Sequence, residues 1–236
     1  MRVTLTGVSK GRGGIALPHT SAEFSSGRVA LAVAETEQRP TILGLIAAGR
    51  MRPDTGEVRI EGETDAAALR RRIALVDAPD VSDPAPDVTV AGIVAEELMF
   101  AGRRSGPLAA LRWLDDAGAR DLAGVPIADV VPERRLRLLL ELATLRRGVE
   151  GLVLVSPDRH GGDPRQWWAL AHEFAGRGFA VLVVAGEASA AVLTAPAAPV
   201  PARQSRLARQ ARLVRPRPGR VRPRRSAALA GRGGPA

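Results

Sequence analysis

Short apolar runs punctuate the chain at Val3–Val8, Val29–Val33, Val58–Ile60, Ile73–Val76, Leu152–Val155 and Val181–Val184. Their length and their Val, Ile and Leu content predict β-strands. The last two runs are continuous rather than alternating, as expected of strands covered on both faces. Between them, Arg165–Gly176 places Trp167, Leu170, Ala171 and Phe174 along one helical side. That is a strand–helix–strand unit of the kind that builds parallel sheets. Residues 41–48 (TILGLIAA) predict a helix. Pro40 stands at its start, where a missing N–H leaves no intrahelical bond unmade. Arg52–Gly56 has the composition of a turn. Helical zones follow at Val90–Ala101, Leu108–Asp116 and Arg134–Leu145, the last rich in Leu and Arg. From Thr194 onward periodicity vanishes, which predicts a body over 1–193 and a disordered tail over 194–236.

Charge sharpens this division. The net charge of +9 would suggest a nucleic-acid binder, but residues 194–236 hold eleven Arg and no Asp or Glu, leaving −2 for residues 1–193. The basicity therefore belongs to the tail. The chain has one Lys, Lys10, against 33 Arg, a bias that, with abundant Ala, Gly and Pro, fits a GC-rich coding sequence. Aromatics make up only 3% of residues, so the core must be built from Ala, Val, Leu and Ile. The absence of Cys excludes disulfides, thiolate metal sites and Cys nucleophiles. The N-terminus lacks a secretory apolar core, and the most apolar late stretch, Phe179–Val200, is broken by Glu187 and prolines. A cytoplasmic setting is expected.

The segment Leu43–Gly62, LGLIAAGRMRPDTGEVRIEG, resembles the ATP-binding subunits of ABC transporters. In that family an apolar helix, a glycine, an R-P-D-x-G-E-V run and a short strand follow the phosphate loop. The resemblance continues in order. Arg70–Val76 is similar to the stretch before the family's Q-loop, and Asp87–Val90 to the opening of its helical subdomain. Leu152–Val155 resembles the Walker B strand, Gly161–Pro164 the D-loop, and Phe179–Val184 the strand before the switch histidine. What it implies is an α/β, P-loop NTPase-like fold: a parallel sheet core with Leu152–Val155 beside Val29–Val33, a reduced helical subdomain and the tail.

Against that family the chemical positions have changed. A working phosphate loop needs Gly so that backbone N–H groups can close around phosphates, Lys for the outer phosphates, and Ser or Thr for Mg²⁺. The matching residues 33–40, VAETEQRP, contain no Gly. Arg39 takes the Lys position and Pro40 the hydroxyl position, while Glu35 and Glu37 put carboxylates where phosphates would sit. Each lost charged hydrogen bond costs roughly 1.5–3 kcal/mol. The Walker B carboxylate and the neighbouring base align with Ser156 and Pro157, neither a magnesium ligand nor a general base. Asp158, slightly late, is a candidate to rescue one role. The Q-loop Gln falls near Ala78, the signature loop near Val131–Arg135 without its glycines, the switch His at Gly186, and the adenine-stacking aromatic near Arg12. No catalytic or metal-binding residue is expected. If nucleotide binds at all, Arg39 and Thr41 are the candidates, and ATP with Mg²⁺ is a cofactor only in that case.

Other features have bland readings. His19, His160 and His172 lack metal-ligand spacing, although His160 adjoins the D-loop-like segment. Adjacent Trp167 and Trp168 point to different helix faces, one to the core and one toward a possible interface. Lys10–Gly14 (KGRGG) is a basic, flexible loop and a candidate anion site. The resemblance then implies a non-catalytic ABC-type subunit, a scaffold or regulator whose partner is a membrane permease-type protein or a second ATP-binding cassette. An active ABC-type ATPase with an atypical nucleotide site is one alternative. A nucleic-acid binder acting through the Arg tail is another, with salt-dependent, sequence-independent binding. No aromatic lies among those Arg, which disfavours base stacking, so no specific nucleic-acid partner is expected.

Overall fold

A computed structural model describes residues 1–35 and 39–195 of the chain. The tail expected over 194–236 lies outside the described residues from residue 196 onward, and Thr194, its expected first residue, instead ends a helix. β1 (Arg2–Lys10), β2 (Leu17–Ser25) and β4 (Thr55–Ile60) form an antiparallel sheet in the order β2-β1-β4. β3 (Val29–Val33), β5 (Ile73–Val76), β6 (Gly151–Val155) and β7 (Ala180–Ala185) form a parallel sheet in the order β3-β7-β6-β5. Its register runs Leu31, Val183, Leu154, Val76 across the strands. Leu152–Val155 is therefore not beside Val29–Val33, as the sequence suggested. The last of the described strands, β7, lies between them, because the β6–helix–β7 crossover returns to the adjacent position.

Side-chain alternation then divides the core. Val76, Leu152, Leu154, Val181 and Val183 face α3 (Val90–Phe100), α4 (Pro107–Asp116), α5 (Pro132–Ala143) and α6 (Pro164–Gly176). Leu75, Val153, Val155, Leu182 and Val184 face α1 (Arg39–Ala47), α2 (Ala66–Arg72) and the antiparallel sheet. This two-sided cover is why β6 and β7 are apolar at every position. α1 lies close on the sheet. A Cβ at Gly44 would stand 2.7 Å from Val155 Cγ2 and 3.1 Å from Leu75 Cδ1, and overpacking of this kind costs about 1–3 kcal/mol.

Helix starts follow local capping. Asp65 accepts from the N–H groups of Ala67 and Ala68 at 2.8 and 2.9 Å, and Asp163 from that of Arg165 at 2.9 Å. The D-loop-like Gly161–Pro164 thus ends in the cap of α6. β2 escaped the sequence reading because only Leu17 and Phe24 of its nine residues are buried. It is an edge strand, where Pro18 removes no ladder bond that the sheet requires. α2 and α7 (Glu187–Thr194) were also missed, and β4 takes in Thr55 and Gly56 from the expected turn. Among the described residues no helix is long and apolar enough to cross a membrane.

Candidate functional site

The carboxyl ends of β3, β7, β6 and β5 form one edge, where open parallel sheets place their ligands. Beyond β3, Ala34 continues the ladder by donating to Ala185 O at 3.0 Å. Glu35 then turns its side chain across the edge, and its Oε1 accepts from Glu187 N at 2.5 Å. Beyond β6, Ser156 adopts a left-handed conformation (φ 47°) and sends the chain into a short 3₁₀ turn, Pro157–His160. Within that turn Asp158 Oδ2 accepts from Gly186 N and from the Ser189 hydroxyl, both at 2.9 Å. Gly186 cannot cap α7 with a side chain of its own, so two distant carboxylates satisfy the first N–H groups of that helix. The fit is close: a Cβ at Gly186 would lie 2.7 Å from Glu35 Oε1 and 3.4 Å from Asp158 Oδ2. The position matched to the switch histidine is thus a glycine over which Glu35 lies.

Arg39 and Thr41 open α1, with Thr41 buried in its first turn. Residues 36–38 between Glu35 and Arg39 lie outside the described residues. The donor set at this edge does not fit a magnesium–triphosphate. Residues 33–40 supply no Lys and no Gly, Ser156 and Pro157 supply no carboxylate, and Asp158 is spent on Gly186 and Ser189. Among the described residues no group of three His, Asp or Glu is placed to hold a metal ion.

The candidate anion loop Lys10–Gly14 also meets a carboxylate of the chain. Lys10 Nζ lies 2.6 Å from Asp54 Oδ1, and Gly11 N donates to Asp54 Oδ2 at 2.8 Å. The Lys10 bond, then the Gly11 bond, hold the Asp54 carboxyl below its ordinary value. His19 Nδ1 lies 3.2 Å from Gly7 O on the antiparallel sheet. His172 packs edge-on against Trp168 at 5.2 Å, while Trp167 is buried.

One part of the edge was not legible beforehand. Asp77, directly after β5, has φ 55° and a fully buried side chain. Its Oδ1 accepts from Arg135 Nη2 at 2.8 Å and from Arg159 Nη2 at 3.1 Å, and its Oδ2 lies 2.7 Å from His160 Nε2. Arg159 also donates to the Asp77 carbonyl. Arg135, itself buried, donates from Nη1 to Ile127 O at 3.3 Å. Burial pushes the Asp77 carboxyl upward, but the hydrogen bonds from His160 and Arg135 and the charges of Arg135 and Arg159 outweigh it. The net effect lowers its pKa below the ordinary carboxylate value. Sequence matching had placed the Q-loop position at Ala78, which is buried and apolar. The polar residue is its neighbour, and an Asp ending an apolar strand was the only available signal.

Beside Asp77 runs a groove of about 430 Å³. Val76 and Asp77 lie at its base, Ile93 and Phe100 of α3 and Leu139 and Leu142 of α5 on its walls. Phe100 and Val81 expose about half of their surface. Arg146 covers the Phe100 ring at 5.7 Å and clamps Glu97 through Nη2 at 2.8 and 2.9 Å.

No family model and no curated protein matches the chain. Solved structures do. A nucleotide-free ATP-binding cassette from an ABC transporter aligns over 82% of this chain and 85% of its own, with a TM-score of 0.57 at 16% identity. The protein cbiO1 from Clostridium perfringens, part of the ABC transporter complex cbiONQ, aligns over 78% and 77%, with a TM-score of 0.55 at 16% identity. A putative ABC transporter ATP-binding protein from Pyrococcus furiosus aligns over 79% and 92%, with a TM-score of 0.55 at 14% identity. The chain has the fold of an ATP-binding cassette.

Proposed function

We propose that this chain is a cassette-fold subunit that works without nucleotide, as a scaffold or regulatory partner of a membrane transport system. The observation that carries the reading is the filling of the strand-end site by the chain's own carboxylates. Glu35 and Asp158 occupy the amide donors of α7, and no Lys stands ready to exchange them for a phosphate. The partner is a membrane permease-type protein. The groove between α3 and α5 offers apolar walls, an exposed Phe100, and charges of both signs at Asp83, Glu96, Arg50 and Arg146. That combination suits a short amphipathic segment. Membership of cbiO1 in a multi-subunit transporter complex makes such docking a reasonable expectation for this fold. The setting is the cytoplasm, peripheral to the membrane.

Isothermal titration with Mg-ATP, joined to phosphate release at micromolar protein, tests the central claim. The expected result is neither heat of binding nor turnover. Micromolar affinity would convert the reading to a nucleotide-gated scaffold. Turnover lost on Arg39→Ala would replace it with an active ATPase of atypical site.

A further inference from the structure

The Asp77 cluster is more than a packed ion pair, because of what it connects. Asp77 ends β5. Arg135 is in the first turn of α5 and is bonded on to Ile127, in the loop that precedes that helix. Arg159 and His160 follow β6, and Arg159 reaches Asp83, in the long connection from β5 to α3, at 3.4 Å. One fully buried carboxylate thus joins the end of the sheet, the turn after β6, the connection that enters the helical layer and the helix that carries the layer back to the sheet. Both of its oxygens have charged or ring-nitrogen partners.

We infer that this cluster is a built-in latch: it fixes α3–α5 against the sheet and holds the groove beside it in one shape, with no ligand required. If the helical layer moved, Arg135 would leave Asp77 and keep a buried charge without its counter-ion, while Asp77 would be left with Arg159 and His160 alone. Separating such a pair is far costlier than shifting apolar contacts that can slide. An alternative arrangement of the layer is thereby depopulated. The groove meets the latch at Asp77. Asp77 and Asp83 line it together with Ile93, Phe100, Leu139 and Leu142, so fixing the helical layer against the sheet fixes how the groove walls stand over Val76 and Asp77. The purpose of the groove rests on the docking reading above; the latch itself does not.

The test uses the full chain, whose lack of Cys permits clean labelling. Nitroxides at Ala66→Cys on α2 and Arg112→Cys on α4, both exposed positions, report the distance between core and helical layer by pulsed electron resonance. Amide exchange across 90–116 is read in parallel. The latch predicts one narrow distance distribution that Mg-ATP does not alter. Asp77→Asn broadens or splits it and speeds exchange in that segment by roughly 100-fold. Arg159→Ala and His160→Gln, whose side chains are about one-fifth exposed, give smaller changes in the same direction and serve if Asp77→Asn does not fold. Parental distances and exchange in these variants would overturn the latch, as would a parental distribution that shifts with Mg-ATP. ATP binding in titration with an unshifted distribution would instead overturn the nucleotide-free reading and leave the latch standing.

Discussion

The two halves of the strand-end edge treat the same chemical group differently. At β3, β7 and β6, Glu35 is exposed and Asp158 partly buried, and they are met by backbone N–H groups and a hydroxyl. At β5, Asp77 is sealed from solvent and is met by two guanidinium groups and an imidazole. Amide donors at a helix start are fixed by the backbone and persist whatever side chain is removed, and water can replace the lost acceptor. Cationic side chains under a buried carboxylate have no such substitute. The first half is therefore a plug, whose loss should be tolerated, and the second a structural joint, whose loss should not.

Asp77→Ala should separate the halves most strongly. It leaves Arg135 charged and buried, so a loss of about 3–5 kcal/mol in unfolding free energy is expected by denaturant titration. Adding Arg135→Met should recover part of that loss, since removing both charges is cheaper than stranding one. A loss no larger than that of Asp158→Ala would erase the distinction between joint and plug. Acid should act on the same joint. The folded pKa of Asp77 is depressed, so its contribution is fully present above the unfolded value of about 3.9 and disappears as pH falls through the folded one. Arg135, Arg159, His160 and nearby Asp83 are the charged or titratable groups around it. Denaturant midpoints measured downward from pH 6 should fall less steeply in Asp77→Asn than in the parent; parallel curves would assign the acid loss to other carboxylates.

The plug should respond less. Asp158→Ala removes two hydrogen bonds to a carboxylate and should cost about 1–3 kcal/mol, with Ser189→Ala costing about 1 kcal/mol. A double-mutant cycle in which the two losses simply add would mean that the Ser189–Asp158 bond does not couple them. The smallest effect should come from Lys10→Ala. The Lys10–Asp54 pair is solvent-screened, so its loss should barely move the thermal midpoint, and the shift should shrink further at high salt. A shift as large as that of Asp158→Ala would show the KGRGG loop to be a structural element of the antiparallel sheet rather than a surface contact.

Much of this molecule could be read from residue pattern. Strands covered on both faces must be apolar throughout, so β6 and β7 stood out in the sequence, and the Trp167–Leu170–Phe174 spacing gave α6 and its crossover. β2, α2 and α7 lacked that signal: β2 lies on an edge, and α2 and α7 each bury a single side chain. The loss of Lys and Gly from residues 33–40 and of carboxylates at Ser156 and Pro157 was likewise plain, because those are statements about residue identity. What replaced them was not. That Glu35 lies over Gly186, that Asp158 caps a helix 28 residues later, and that Asp54 fills the Lys10 loop all depend on chain segments meeting across the fold. Asp77 is the clearest case. Its partners are 58, 82 and 83 residues away, and nothing local marks them as partners, since local sequence fixes which faces are apolar. Only the sheet order β3-β7-β6-β5, which sets the ends of β5 and β6 side by side and brings α5 over them, decides which charges share a low-dielectric interior and must therefore pair.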